Sequence, residues 1–461
     1  MGLAHHLLLG SATLGLAVTG GSARAQSNSP VGLQPGSQQT QSQQNPSSHV
    51  AAGKPAKPAA DEPKEQHLLG DWNKTLSDKG LDLTVKYEGD VGAAVSGGKR
   101  RGIDYAQQVE LNLQADWGKI AGVKGLTSTV SFVNRAGNSV AHSRIGDQLF
   151  QVETVYGGTD HAAIHLVQAF LDWKSAKGKV DVAAGRLPVG NDFGTSPYYC
   201  EFMNTAICGY PNSLSAKRGF TVFPNSTWGA RLRFAPSSKL YIQGGAYQVR
   251  PKFGGKYGFD WGWSGTTGTY FPVEVGWEPS FGPNELNGHY KLGFTSDTSR
   301  YADNLYDVNG VPFPLSGRPP AKHGGRHSVY VLADQMIHRN GEGPENGLVV
   351  LGGYVASDSA TSKIDRFAFA AVRDQGLIPG RPDDLAGVML AHARISNRLT
   401  SEQAIAGEPI QTAEWALEGM YKVAATSGLS ITPDIQYLIH PNGQTSIRNA
   451  LALALRVQVT M

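Results

Sequence analysis

The chain has 461 residues, with 41 Lys and Arg against 38 Asp and Glu, so its formal net charge is only +3. Charged residues make up 17% of the chain, and no apolar run long enough for a membrane-spanning helix follows the N-terminus. A helical membrane protein is therefore excluded, and the balanced charge argues against nucleic acid as a partner.

Residues 1–25 are predicted to be a secretory signal peptide. Leu7 to Val18 forms a short apolar core, and the small-residue motif Ala23-Arg24-Ala25 predicts cleavage after Ala25. The segment before this core has no Lys or Arg, which departs from the usual pattern. The sequence nevertheless predicts export from the cytoplasm.

Residues 26–66 form a low-complexity tail, first rich in Gln, Ser, Asn and Pro and then in Lys, Pro and Ala. Because it has few apolar residues, we expect this tail to be disordered or extended in the periplasm. It is either a plain spacer or an arm that contacts the cell wall. Residues 67–80 are predicted to form one short helix that ends at Gly80.

Alternation of apolar and polar residues begins at Leu81 and recurs along the rest of the chain. It is clearest between Ala450 and Met461, where Leu, Val and Met alternate with small or polar residues. This period of two predicts β-strands with one apolar and one polar face. Strong segments begin at residues 81, 108, 228, 415, 431 and 450, and weaker ones cover 124–136, 161–174, 178–187, 238–250, 271–278, 288–297, 325–338, 345–357, 363–374 and 382–395.

These segments give about sixteen strands, an even number in the size range of porins. Short turns are predicted at 237–238, 426–428 and 441–443, and longer irregular stretches at 137–160, 188–225, 251–270 and 298–324. Aromatic residues near strand ends are typical of the girdles of membrane barrels. The residues in question are Trp117, Trp173, Trp228, Tyr241, Trp277, Tyr421 and Tyr437.

The polar faces of these strands carry many Asp, Glu, Lys and Arg side chains. They must contact water, because burying unpaired charges costs several kcal/mol each. In a membrane barrel they line a lumen, while the apolar faces contact lipid. The alternative is a soluble sandwich of two sheets whose apolar faces bury one another. The predicted fold class is all-β, a transmembrane antiparallel β-barrel over residues 81–461.

The chain has two cysteines, Cys200 and Cys208. In an exported chain, two cysteines this close are expected to form a disulfide. Closing so short a loop would stabilise the fold by roughly 2–3 kcal/mol. The alternative is a pair of buried thiols.

Several motifs resemble the OprB-type carbohydrate-selective outer-membrane porins, and the similarity covers roughly residues 68–461. The most specific is the block that holds both cysteines: Gly185-Arg186-Leu187, Asn191-Asp192-Phe193, Ser196, Tyr199-Cys200-Glu201-Phe202 and Ile207-Cys208-Gly209. Further matches are Leu68-Leu69-Gly70-Asp71-Trp72, Trp228-Gly229-Ala230-Arg231, Pro272-Val273-Glu274-Val275-Gly276-Trp277, Gly288-His289-Tyr290-Lys291-Leu292-Gly293, Asp334-Gln335-Met336, Gly380-Arg381-Pro382 with Asp384, and Pro433-Asp434-Ile435-Gln436-Tyr437.

The resemblance implies a water-filled, sixteen-stranded pore in the outer membrane of a Gram-negative bacterium, narrowed by extracellular loops that fold inward. Its permeating solutes would be small neutral sugars that diffuse passively, with outer-membrane lipid around the barrel and neither a cofactor nor a metal. The resemblance implies that the barrel works as a monomer, and the sequence does not decide between a monomer and a homotrimer. Two departures are Met461, where such strands usually end in Phe, and Asn73-Lys74, where Gly-Gly is expected.

Arg and carboxylate groups bind sugar hydroxyls, and aromatic rings bind the C–H faces of the sugar. The block around the cysteines supplies all of these groups, including Tyr198, and later strands add more. The predicted substrate-binding and constriction residues are Arg186, Asp192, Phe193, Tyr199, Glu201, Phe202, Asn204, Arg231, Arg233, Glu274, Arg381 and Asp384.

Each assignment has a structural alternative. Arg186 and Asp192 could pair to brace a loop, Phe193 and Phe202 could pack around the disulfide, and Arg231 and Arg233 could be merely solvated.

Two other functions compete with sugar transport. One is a general, anion or sugar-acid pore, which the mixed charges disfavour. The other is an outer-membrane hydrolase, but the sequence has no HExxH, G-x-S-x-G or CxxC motif, so no enzyme is predicted.

Overall fold

The computed structural model describes residues 72–147, 149–155, 164–216, 219–250, 257–259, 261–341 and 343–461. The predicted signal peptide, the predicted tail and the first residues of the predicted helix lie outside these ranges. Helix α1 (Trp72–Asp78) is followed by Gly80, whose φ of +88° is a left-handed conformation that glycine adopts freely. Among the described residues, no helix is long and apolar enough to cross a membrane.

Strands make up most of the described chain, and each pairs antiparallel with its neighbours. Sixteen of them are long, and β9 has only two residues and pairs with the start of β10. The strands are β1 (Leu81–Ser96), β2 (Gly102–Asp116), β3 (Leu126–Gly137), β4 (His165–Lys174), β5 (Val180–Leu187), β6 (Thr227–Ser237), β7 (Leu240–Val249), β8 (Gly268–Trp277), β9 (Ser280–Phe281), β10 (Leu286–Asp307), β11 (Pro320–Arg339), β12 (Gly347–Ser357), β13 (Ile364–Gln375), β14 (Leu385–Ile395), β15 (Ala413–Thr426), β16 (Leu429–Ile439) and β17 (Ala450–Thr460).

The sheet closes on itself because β1 pairs with both β2 and β17. Tyr87 lies opposite Val109 on one side and opposite Val459 on the other. Closure leaves none of the long described strands as a free edge, which is how a sheet can be stable inside a bilayer. The prediction of a closed antiparallel barrel with sixteen long strands is confirmed.

The two faces of the barrel wall are inverted relative to a soluble protein. In β2 the apolar side chains of Val109 and Leu111 are 39% and 38% exposed, whereas Gln108 and Glu110, which alternate with them, are each 3% exposed. Apolar side chains therefore face outward, where lipid would surround them, and polar side chains face inward. This is the pattern of a membrane barrel.

The two rims of the barrel differ in the length of their links. The terminal rim holds the start of β1 and the end of β17, and its links are short; α2 (Trp117–Ala121) lies in one of them. The loop rim holds the long links, which face the cell exterior in outer-membrane barrels. Its links include the β3–β4 segment (138–164), the β5–β6 segment (188–226), 250–267, and 396–412 with α5 (Asn397–Ala406). Shorter helices are α3 (Asn212–Ser215) and α4 (Phe313–Ser316).

Two of the predicted links differ from the structure. The stretch 298–324 was predicted to be irregular, but β10 runs to Asp307 and β11 starts at Pro320. Pairing continues beyond the apolar band, where outward positions such as Thr298, Arg300 and Asn304 are polar and the apolar alternation is lost. Residues 441–443 were predicted to form a short turn like those of the terminal rim. They lie instead in the link between β16 and β17 at the loop rim.

Aromatic side chains at strand ends face outward at several of the predicted girdle positions. Trp173, Trp277 and Tyr437 are among the large exposed hydrophobic residues. Tyr241 is an exception, since it is buried on the inward face and its hydroxyl donates to Glu274. Its position in the alternation of β7 shows this, because Leu240 and Ile242 take the outward positions.

Candidate functional site

The β5–β6 segment contacts inward-facing side chains from distant parts of the barrel wall. The Gly194 amide donates to Glu274 Oε2 of β8 at 2.9 Å, and the Asn204 amide donates to Glu418 Oε2 of β15 at 3.2 Å. The Asn204 side chain also donates to Gln436 Oε1 of β16 at 2.8 Å. Because β8 and β16 lie far apart around the barrel, these contacts attach residues 194–204 of the segment to two distant parts of the wall.

Glu274 is a fully buried anchor for this segment. Its Oε1 accepts from the Tyr241 hydroxyl at 2.8 Å and from Gln243 Nε2 at 2.9 Å. Its Oε2 accepts from the Gly194 amide and from the Tyr330 hydroxyl, at 2.9 and 2.8 Å. Four donors satisfy the carboxylate, so it is not available to a passing solute.

The predicted aromatic residues pack against the wall and are not exposed platforms. The Phe193 ring meets Tyr247 edge-on with centroids 6.2 Å apart, and the Tyr199 ring meets Phe369 at 5.3 Å. Phe202 is also fully buried. These rings form an apolar core between the β5–β6 segment and the strands, as edge-to-face pairs commonly do.

The predicted disulfide is confirmed, with the Cα atoms of Cys200 and Cys208 4.2 Å apart. Beside it, Glu201 receives a two-pronged contact from Arg373 of β13, with Nε–Oε2 at 2.8 Å and Nη2–Oε1 at 2.5 Å. Burial raises the pKa of Glu201, and the adjacent guanidinium opposes that shift. The planar fork thus fixes the disulfide loop to the wall.

The β3–β4 segment packs beside it through further buried polar contacts. Gln436 Nε2 donates to the Val152 carbonyl oxygen at 2.8 Å, and the Val140 amide donates to Glu153 Oε1 at 2.5 Å. Burial raises the pKa of Glu153 to about 8. Gln436 therefore contacts both segments, since its Oε1 accepts from Asn204.

Arg231 lies at the centre of a cluster of three carboxylates. Its Nη2 is 2.8 Å from Asp181 and 3.5 Å from Asp172, and its Nε is 3.1 Å from Asp192. Arg231 itself is buried, but 23% of the Asp192 side chain is exposed. Burial raises the pKa of Asp192 and Arg231 opposes the shift. The cluster therefore offers solvent mainly the carboxylate of Asp192, with the buried guanidinium of Arg231 behind it.

Arg233 lies nearer the terminal rim. Its guanidinium stacks on the Tyr241 ring at 3.6 Å and lies 3.5 Å from Glu278. Stacking on an aromatic face fixes the plane of a guanidinium while leaving some of its N–H groups free to bind. Arg231 and Arg233 are two residues apart on one strand and share its inward face.

A cavity of about 850 Å³ opens beside these two arginines. Its lining comes from the inward faces of β1–β7 and β10, from the β5–β6 segment and from turns of the terminal rim. Five of the lining residues are cationic and six are acidic, so the charge is nearly balanced. The cations are Lys86, Arg231, Arg233, Lys239 and Lys291, and the acids are Glu110, Asp172, Asp192, Glu278, Glu285 and Glu345.

Of the twelve predicted site residues, Asp192, Arg231 and Arg233 line this cavity and the other nine do not. Six of those nine belong to the buried contacts described above, and Arg186, Arg381 and Asp384 lie elsewhere. The buried Arg186 donates through Nη2 to the Ser226 carbonyl oxygen at 2.6 Å, at the end of the β5–β6 segment. Arg381 and Asp384 lie in a turn of the terminal rim and form two contacts of 2.8 Å with each other. Asp384 also accepts from the Tyr421 hydroxyl at 2.7 Å. All three brace local structure.

Several cavity residues were not among the predicted site residues. His289 and Lys291 follow the alternation of β10, between outward-facing Tyr290 and Leu292, so the strand pattern could have identified them. Lys239 and Glu345 lie in turns of the terminal rim, and no sequence pattern indicates that they approach the lumen.

Comparisons with known proteins agree with this architecture. The model of the carbohydrate-selective porin family OprB matches residues 100–461. Porin B of Pseudomonas aeruginosa is 30% identical over 421 residues, which are 86% of this chain and 91% of that protein. The putative porin QuiX of Acinetobacter baylyi is 26% identical over 425 residues, 86% of this chain and 93% of that protein.

The fold is also similar to that of a solved structure. The high-pH structure of Pseudomonas putida OprB has a TM-score of 0.81 and 28% sequence identity, covering 87% of this chain and all of that chain. Because the family model spans most of the sequence and a relative at 30% identity spans nearly its full length, this chain belongs to the OprB family of carbohydrate-selective porins.

Proposed function

We propose that this protein lets small neutral sugars diffuse passively, and with weak selectivity, through the lumen of the barrel. The β3–β4 and β5–β6 segments narrow that lumen, and the cavity beside Arg231 and Arg233 is where the solute is held. The observation that carries the proposal is the nearly balanced charge of the cavity lining, five cations against six acids.

The lining suits a polyol because it presents donors and acceptors close together. A sugar hydroxyl both donates and accepts, so it can bridge the exposed oxygen of Asp192 and a free N–H of Arg233. Amides of Asn191 and Gln168 also line the cavity. Each hydrogen bond between the sugar and the lining replaces a hydrogen bond with water, so the net gain is small. The affinity is therefore low enough for the solute to leave.

A selective pore for anions or sugar acids is disfavoured by the same cluster. A strong anion filter needs a row of cations without matching acids. Here three carboxylates surround Arg231, and Glu278 lies beside Arg233. Each cation is therefore largely neutralised where a solute would meet it.

Single-channel recording in planar bilayers tests this proposal. Glucose or a neutral disaccharide in the millimolar range should reduce the conductance reversibly, and a salt gradient should give a small reversal potential. A sugar acid of the same size serves as the matched control and should block no better than the neutral sugar. Conductance unaffected by any sugar, or a strongly anion-selective reversal potential, would overturn the proposal.

The proposed mature chain begins after Ala25, and its barrel lies in the outer membrane behind a periplasmic tail of residues 26–66. The support is the apolar core and the small-residue motif of the N-terminus. N-terminal sequencing of protein extracted from outer membranes tests the cleavage site. A mature N-terminus at Met1 would contradict it.

A further inference from the structure

The outer wall formed by β12 to β15 carries a belt of apolar and aromatic side chains. All of them alternate with buried inward residues, so they face the lipid. The exposed members of this belt include Val350, Tyr354, Val372, Val388, Leu390, Trp415 and Leu417.

Two arginines lie directly beyond this belt, on the side of the loop rim. Arg366 of β13 and Arg394 of β14 are opposite each other in the strand register. The next row toward the middle of the wall contains His392 and Trp415, whose rings are 4.1 Å apart. Since residues two apart on a strand share a face, both arginines are on the outward face.

Their depth matches the level of lipid headgroups. Arg366 and Asp374 lie on the same outward face of β13, eight residues apart. At about 3.3 Å per residue and a tilt of about 40°, they are separated by roughly 20 Å along the membrane normal. The apolar band of such barrels is about 25 Å tall, so a long guanidinium side chain at its edge reaches the polar layer.

The protein neutralises only part of this charge. Arg394 makes a two-pronged contact with Asp365, with distances of 2.9 and 2.8 Å, yet 40% of its side chain is exposed. Arg366 donates to the carbonyl oxygens of Ser357 and Asp365, at 3.2 and 2.7 Å. In the part of the chain that the structure describes, no carboxylate lies within ion-pair distance of Arg366.

Like charges directly opposite each other on adjacent strands destabilise a sheet unless an anion lies between them. Asp365 occupies Nε and Nη2 of Arg394, and two carbonyl oxygens occupy Nη1 of Arg366. The N–H groups that remain on the two guanidiniums lie at headgroup depth, where they can donate to a phosphate group. We propose that Arg366 and Arg394 form a binding site on the outer wall for a phosphate of the anionic glycolipid in the outer leaflet. This inference depends on the barrel and its orientation, and it is independent of which solute passes through the lumen.

Native mass spectrometry of the detergent-purified mature barrel tests this site, with bisphosphorylated lipid A as the probe. Wild-type protein should retain lipid A and show no adduct with the same lipid after its phosphates are removed. Arg366→Gln should weaken retention about tenfold, since it removes a charge-assisted contact. Arg366→Lys keeps the charge without the fork and should have a smaller effect.

Arg318→Gln is the matched control, because Arg318 is also near the loop rim and exposed but lies in the link between β10 and β11. It should retain lipid A like the wild type. Arg394→Gln is combined with Asp365→Asn so that no buried carboxylate loses its partner, and heat-modifiable migration on gels confirms folding. This folded variant should also lose retention.

Several outcomes would overturn the proposal. Equal retention of lipid A by wild type and Arg366→Gln would do so, as would equal binding of the dephosphorylated lipid. Displacement of lipid A by inorganic phosphate at its own concentration would show a site for the free ion and not for a lipid headgroup.

Discussion

Glu274 and Asp192 lie close together in the barrel, yet different groups satisfy their carboxylates. Glu274 accepts from a backbone amide, two hydroxyls and one side-chain amide, and it has no contact with solvent. Asp192 pairs with Arg231 and stays partly exposed at the edge of the cavity. Gln243 joins the two, because its Nε2 donates both to Glu274 and to the Asp192 carbonyl oxygen. Neutral donors thus satisfy the structural anchor completely, whereas the carboxylate paired with a guanidinium keeps an exposed part, which we propose as a solute contact.

Removal of the anchor should have the largest effect. Glu274→Ala leaves buried donors of Gly194, Tyr241 and Tyr330 without an acceptor, at roughly 1–3 kcal/mol for each. We expect the β5–β6 segment to leave the wall, so that single-channel conductance rises by about twofold or more and sugar block disappears. Glu408→Ala is the control, because Glu408 is exposed in the link 396–412 and does not line the cavity. A quiet Glu274→Ala channel with normal block would contradict the role of the anchor.

Removal of the positive charge of Arg231 should have the second largest effect on the channel. Arg231→Gln removes the cation that contacts all three of Asp172, Asp181 and Asp192, and leaves the longer contact of Lys174 with Asp181 in place. The lumen should then favour cations, visible as a shifted reversal potential in a salt gradient, and sugar block should weaken about tenfold. Arg231→Lys should restore the selectivity but only part of the block. Block unchanged in both variants would remove Arg231 from the solute site.

Loss of the disulfide should have a moderate effect, since Glu274 and Glu418 still hold the β5–β6 segment. The double variant Cys200→Ser with Cys208→Ser should lose roughly 2–3 kcal/mol of local stability. We expect increased open-channel noise with little change in mean conductance. Wild-type channels recorded with a reductant should behave like the variant. Identical noise with and without the bond would show that the loop does not border the constriction.

The docking of the β3–β4 segment should depend on pH through Glu153. Burial raises the pKa of Glu153 from 4.5 to about 8. Between these two pH values the Glu153 carboxyl is protonated when the segment is docked and ionised when the segment is released. Docking is therefore strongest below pH 4.5 and weakens as the pH rises toward 8. The protection factor of the amide hydrogens across 138–155, which corrects for the faster intrinsic exchange at higher pH, should fall over that range. In Glu153→Gln it should lose this dependence, and a variant that keeps it would point to nearby Asp90 instead.

The contact between Arg381 and Asp384 at the terminal rim should have the smallest effect on the channel. Arg381→Gln breaks a contact with Asp384 whose guanidinium side is 43% exposed, so its cost is about 1 kcal/mol or less. Sugar block and conductance should stay at wild-type values in planar bilayers. A clear loss of sugar block would place this turn in the solute path and join it to the Arg231 cluster.

The barrel could be predicted because its signal is local. Alternation along each strand fixes which side chains face lipid, as Leu111 and Glu110 illustrate, and neighbouring strands pair in chain order. The pattern failed where the chain leaves the apolar band, at the extensions of β10 and β11, since the apolar alternation is lost there.

The site could be predicted only in part, because its contacts join residues far apart in sequence. Gly194 binds Glu274, 80 residues away, and Asn204 binds Gln436, 232 residues away. No local pattern separates Glu274, which four donors satisfy, from Asp192, which faces the cavity. The motif that contains Arg381 likewise gave the residue types without revealing that they close a turn.

The attachment of the β5–β6 segment to β8 on one side and to β15 and β16 on the other has a mechanical consequence. The segment acts as a strut across the cylinder, and the wall cannot flatten without stretching the hydrogen bonds at Glu274, Glu418 and Gln436. Bilayer tension or a thinner membrane would deform an empty cylinder of this size. With the strut in place we expect the lumen to keep its width, so that conductance changes little when the elastic state of the surrounding lipid changes.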